Sequence, residues 1–200
     1  MNMKTAILIT MTLCCSQFLL AQNDFKKGLN EARASYASNK LDDSRFAMQQ
    51  MLYELDMITG KEVLKLLPQK MLDGSIVAKA DNVSGASGFV GVIIHREWGK
   101  DGSPDKNISM DIISNSPLIA SLNALLSLPF IGNTGDNKVV RIAGYKALVS
   151  KIDAGGTTNY DLQLPLNSSL ITLKAPGLSQ DQVIKLANTL PVPEIAKMLQ

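Results

Sequence analysis

Cysteine, histidine and one-signed charge are all scarce in this 200-residue chain, and each scarcity removes a class of chemistry. The two cysteines, Cys14 and Cys15, are adjacent and fall in an N-terminal segment that reads as a leader. Downstream of that segment no thiol, disulfide or cysteine metal ligand is expected. The lone histidine, His95, cannot supply the several imidazoles of a typical zinc site, so no metal or other cofactor is expected. Basic and acidic residues number 20 and 18, and the longest basic run is Lys26-Lys27. A nucleic acid or an anionic membrane surface would need a concentrated basic patch, so neither is an expected partner.

Long apolar runs are also absent, with one exception. Lys4, an uncharged run from Thr5 to Leu20, and Ala21-Gln22 have the layout of a signal peptide. Residues 1–21 are therefore expected to be a leader cleaved after Ala21, placing the mature chain in the periplasm or outside the cell. A spanning helix needs about 20 apolar residues, and Thr10, Thr12, Ser16 and Gln17 interrupt a run already shorter than that. No transmembrane anchor is expected in the mature chain. Lipoprotein anchoring through Cys14 or Cys15 would call for a small residue just before the cysteine, where Leu13 and Cys14 stand instead, so apolar filler is the preferred account of both.

What is present is a change of period. Phe25, Leu29, Ala32 and Tyr36 recur at spacings of three and four, which predicts a helix from Asp24 that Ser38-Asn39-Lys40 breaks. A second helix is expected from Asp42, carrying Phe46, Met51, Leu55 and Ile58 inward. Thr59 and Glu62 form a capping-box pattern for a third, short helix ended by Pro68. The stretch Ala34 to Ala47 resembles one tetratricopeptide repeat, but no second copy follows to build a solenoid. Residues 22–68 thus read as a helical hairpin.

Residues 69–200 alternate with period two, the signature of strands. About seven are predicted: Ser75 to Lys79, Phe89 to Trp98, Ile108 to Ser114, Val139 to Ile142, Tyr145 to Ile152, Tyr160 to Leu164 and Leu170 to Ala175. Short polar connections such as Gly99 to Asn107 and Leu166 to Ser169 suit hairpins, hence antiparallel pairing. Ser116-Pro117 opens a helix from Leu118 to Leu128, and Ser179 with Gln182 caps another before Pro191 and a last turn, Glu194 to Leu199. The expected fold class is α+β, an N-terminal helical hairpin followed by an antiparallel sheet packed with helices.

Two segments stand out as candidate binding surface. Gly85, Gly88 and Gly91 are spaced by threes and run into a strand, which fits a loop or bulge better than a phosphate cradle. From Ile112 to Gly135 the chain carries no charge at all. On the predicted helix Leu118, Ile119, Leu122, Leu125 and Leu126 form an aliphatic face for the sheet, while Ala120, Asn123, Ala124 and Ser127 form a small, uncharged second face. The protein's own hairpin or another protein could cover it. Catalysis has a poor starting point: His95 sits mid-strand without a neighbouring nucleophile, and carboxylates such as Asp111 or Asp161, expected on strand edges, would have to act without it.

Residues 74–190 resemble the PsbP-like α/β-sandwich domains of exported proteins. The likeness rests on Val140-Arg141-Ile142-Ala143-Gly144-Tyr145-Lys146-Ala147, the strands Tyr160 to Leu164 and Leu170 to Ala175, and the closing helix from Ser179. The resemblance implies an antiparallel sheet between helices, no catalytic site, and a role in binding or assembling other proteins; the N-terminal hairpin departs from that pattern. The expectation is a non-catalytic envelope protein with a protein partner. The alternative is a carrier holding an apolar small molecule between helix and sheet.

Overall fold

Helical periodicity at the N-terminal end yields two helices, α1 at residues 25–37 and α2 at Leu41–Leu66. Asn39 between them takes a φ of 57°, a left-handed turn that asparagine tolerates better than most residues. The computed structural model describes residues 25–85, 91–128, 133–134, 136–154 and 157–199. The expected leader, residues 1–21, and Gly88 lie outside them. The chain divides into two units, Met1–Leu55 and Asp56–Gln200, so the division falls within α2.

In the first unit α1 meets the start of α2 through small residues. Ala32, Ser44 and Ala47 are buried, and the Ser44 hydroxyl donates to the Ala32 carbonyl at 3.0 Å. A seam this narrow leaves the larger side chains outside it. Phe25 and Tyr36 of the expected apolar face of α1 are exposed instead, as are Phe46, Leu55 and, in the part of α2 that belongs to the second unit, Ile58, all three expected to point inward.

In the second unit the end of α2 continues through Thr59, so the expected third helix is the last part of the second. Gly60 and Val63 are buried on it, and so is Leu67 just past its end. Gly60 is required by close approach: a Cβ there would meet Val83 Cγ1 at 2.5 Å and Val92 Cγ2 at 2.8 Å. The strands are β1 Lys70–Met71, β2 Gly74–Ile76, β3 Asn82–Gly85, β4 Val92–Gly99, β5 Ile108–Ser114, β6 Asn133–Thr134, β7 Asn137–Ile142, β8 Tyr145–Ala154, β9 Thr157–Pro165 and β10 Ser169–Lys174. The helices are α3 Leu118–Ser127, α4 Gln180–Ala187 and α5 Val192–Met198.

All pairings are antiparallel, in the order β1-β2-β4-β5-β10-β9-β8-β7-β6, with β3 also paired to β4. The chain leaves β5 through α3, starts again at β6, and meanders back until β10 lands beside β5. Among the described residues the sheet has ten strands rather than about seven; β1, β3 and β6 are only two to four residues long and carry no alternation to reveal them.

One face of the sheet packs with the end of α2 and with α4 and α5 into the main core, which includes Ile94, Trp98, Ile112, Leu164, Ile171, Val183 and Ile195. The other face is covered in part by α3, whose Leu122 and Leu126 pack with Leu148 and Leu170. Burial on both faces explains the unbroken apolar triplet Ala147-Leu148-Val149 in β8. Local caps hold the helices where the sequence places them. The Ser179 hydroxyl and the Gln182 side chain complete the capping box of α4, the Ser116 hydroxyl accepts from the Leu118 amide, and Lys146 Nζ donates to the Leu126 carbonyl at the far end of α3.

Candidate functional site

The seven expected surface residues do not form one site. Gly85 ends β3 and pairs with Val92. Gly91 is buried, and a Cβ on it would lie 2.2 Å from the Ser114 hydroxyl, so this glycine serves the close approach of backbone to β5. The helix face is different. Ala120, Asn123, Ala124 and Ser127 are all exposed on α3, flanked by half-exposed Leu118 and Leu128. The Ser127 hydroxyl donates to the Asn123 carbonyl at 2.7 Å, which occupies its only donor within the helix. Methyl groups and one amide therefore dominate what α3 offers to solvent.

A second group, which the sequence reading passed over, is assembled by sheet register. On β4 the residues Val92, Ile94, Arg96 and Trp98 face the core, so Ile93, His95 and Glu97 face the other way. The register of β4 on β5 sets His95 opposite Asp111 and Glu97 opposite Ser109. His95 Nδ1 lies 2.7 Å from Asp111 Oδ1, and His95 Nε2 lies 3.3 Å from Glu97 Oε1. The second Glu97 oxygen accepts from Asn107 Nδ2 at 2.8 Å. Asn107 in turn bridges Lys100, donating to its carbonyl at 3.0 Å and accepting from its amide at 2.8 Å.

The electrostatics of this face follow from those distances. Burial by itself would lower the His95 pKa, but the hydrogen bond and charge of Asp111, then those of Glu97, outweigh it and hold the imidazole above its ordinary value. Farther along the same face Lys174 pairs with Asp161. Burial pushes the Asp161 carboxyl up, against the opposing pull of Lys174. Asp111 and Asp161, expected on strand edges, sit on β5 and β9 in the interior of the sheet, with β10 between them.

On the opposite face Arg96, 5% exposed, is a structural cation. Its Nε and Nη2 grip both oxygens of Asp81, and its Nη1 donates to the Leu64 carbonyl at 2.7 Å. Trp98 Nε1 donates to the Pro68 carbonyl at 2.8 Å, so two neighbours on β4 fix the end of α2. Among the described residues no three His, Cys, Asp or Glu side chains are grouped to hold a metal ion, and no helix is long and apolar enough to cross a membrane.

Fold and side chains together define the class: an α+β protein whose ten-stranded antiparallel sheet carries helices on both faces. No family model, curated protein or solved structure matches the chain.

Proposed function

We propose that the protein is an exported, non-catalytic binding module of the cell envelope that acts through protein contacts. The observation that carries this reading is the amount of apolar surface on its helices that the fold leaves uncovered. Nine of the fourteen large hydrophobic side chains exposed among the described residues belong to α1 and α2, led by Tyr36 at 68%, Phe46 at 63% and Leu52 at 62%. Soluble monomers rarely expose contiguous apolar patches beyond a few hundred Å², and larger ones mark interaction sites. The uncharged outer face of α3, with Ala120 and Ala124 at its centre, is a second surface of the same character.

Non-catalytic action is supported by His95. Both of its nitrogens face carboxylates, and among the described residues neither contacts a hydroxyl that it could activate as a nucleophile. Residues 1–21 support export through the features of a leader. The carrier alternative has less behind it, because the aliphatic side chains of α3 already pack on Leu148 and Leu170.

A photo-crosslinking amino acid placed at Leu52 or Ala124 of the full chain, in its own cell, tests the reading. The expected result is a discrete protein adduct at one of these positions and none at Lys79, an exposed control on the loop before β3. Absence of adducts at both positions overturns it. Native mass spectrometry of the secreted chain adds the other arm: a retained adduct of lipid mass replaces protein contact with the carrier function.

A further inference from the structure

We propose that His95, Glu97, Asp111 and Asn107 form a pH-sensitive latch that holds the β4–β5 loop, residues 100–107, closed while the imidazole is protonated. The geometry requires both ring nitrogens to donate. An imidazolium can do so, to Asp111 Oδ1 at 2.7 Å and to Glu97 Oε1 at 3.3 Å. A neutral imidazole donates from one nitrogen only and turns the lone pair of the other toward a carboxylate that can only accept. Asp111 makes the shorter contact, so the proton stays on Nδ1 and Glu97 is the partner released.

Release of Glu97 reaches the loop through Asn107. The Asn107 side chain is the loop's cross-brace, joined to Glu97 on one side and to both the amide and the carbonyl of Lys100 on the other. The brace fits because residue 99 is glycine: a Cβ there would lie 2.1 Å from Asn107 Oδ1. Asp111 and Glu97 are the charged groups that act on His95. Its partner on β3 is the uncharged Asn82, Ser109 stands opposite Glu97, and the β10 residue paired with Asp111 is Thr172; the charges of Lys174 on β10 and Asp161 on β9 come next along the face. Among the described residues no lysine or arginine is ion-paired to Asp111 or Glu97 to replace the imidazolium when it loses its proton.

The sign of the linkage is fixed by the raised pKa. The folded state binds the His95 proton more tightly than the unfolded chain, so the stabilisation is fully present below the ordinary value of 6.5 and is lost as pH rises through the higher folded value. Because His95 is the only histidine, its ring resonance in the full chain reports this titration without assignment ambiguity.

An NMR titration of that resonance, alongside the Lys100 and Asn107 amides, is the test. Expected are a midpoint above that of free histidine, loop amide shifts that follow the same midpoint, and a thermal midpoint that falls through that pH range in the wild type but not in His95→Gln. Asp111→Asn lowers the histidine midpoint more than Glu97→Gln does. A histidine midpoint at or below the free value overturns the latch, and so do loop amides that ignore the titration. Both readings come from the wild-type chain and survive a variant that fails to fold.

Discussion

Arg96 and His95 are neighbours in sequence and have opposite fates. Strand alternation sends His95 to a partly open polar face and Arg96 into the core side of β4, where the guanidinium closes the end of α2 and neutralises Asp81. A buried charge is tolerable there only because every direction of its fork has a partner. Arg96→Met keeps the apolar stem but strands the Asp81 carboxylate and the last carbonyls of α2. The expected cost is about 3–5 kcal/mol in urea unfolding, and Arg96→Lys should recover little of it, since one ammonium cannot hold Asp81 and Leu64 together. A loss below about 1 kcal/mol, the value of an exposed pair, would show that the contacts of Arg96 add nothing to stability.

The pairing of His95 with Asp111 was legible at this scale. Strands ending at Trp98 and starting at Ile108, joined by Gly99 to Asn107, reflect about Ser103, and reflection carries residue 95 onto 111 and 97 onto 109, the register that forms. The signal was a two-strand register, invisible while His95 is read alone. The burial of Arg96 had no comparable signal, because its partners Asp81 and Leu64 come from a loop and a helix that only tertiary packing brings together.

At the scale of elements, legibility followed locality. The capping box of α4, the Ser116-Pro117 start of α3 and the β7–β8 and β9–β10 hairpins depend on residues a few positions apart, and each forms where the pattern puts it. The capping-box pattern at Thr59 misleads for a physical reason. Gly60 weakens helix propensity by about 1 kcal/mol, yet the second unit needs a residue without Cβ where α2 crosses β3 and β4, and packing overrides propensity. Gly60→Ala therefore inverts the usual expectation. Instead of a gain of about 1 kcal/mol from better helix propensity, the new methyl group meets Val83 and Val92 and should cost about 1–3 kcal/mol. Thermal or chemical unfolding decides the sign. A stabilised Gly60→Ala protein would mean that α2 can move off the sheet at no cost.

At the scale of the whole chain, the two units have very different means of holding themselves together. The second buries a continuous core of large aliphatic side chains and Trp98 between the sheet and its helices. Among the described residues of the first, the buried ones are Ala32, Ser44 and Ala47. Burying a leucine or phenylalanine side chain contributes about 1.5–3 kcal/mol, and the hairpin has spent its large side chains on the outside. This was not legible in the sequence, because Phe25, Leu29, Ala32 and Tyr36 mark a helix face without saying whether its seam is closed by its large members or its small ones. Such a hairpin opens locally at low free energy, whereas β5 and β10 exchange only on opening of the core. Hydrogen exchange read by mass spectrometry should therefore show residues 25–55 losing protection orders of magnitude sooner than residues 108–114 and 169–174. If the proposed protein contact is made there, a protein recovered by crosslinking at Leu52 should slow exchange in the hairpin when added and leave β5 and β10 unchanged. Equal protection of hairpin and sheet in the free chain would mean that the apolar residues of α1 and α2 are already covered, and would leave the proposed protein contact with α3 alone.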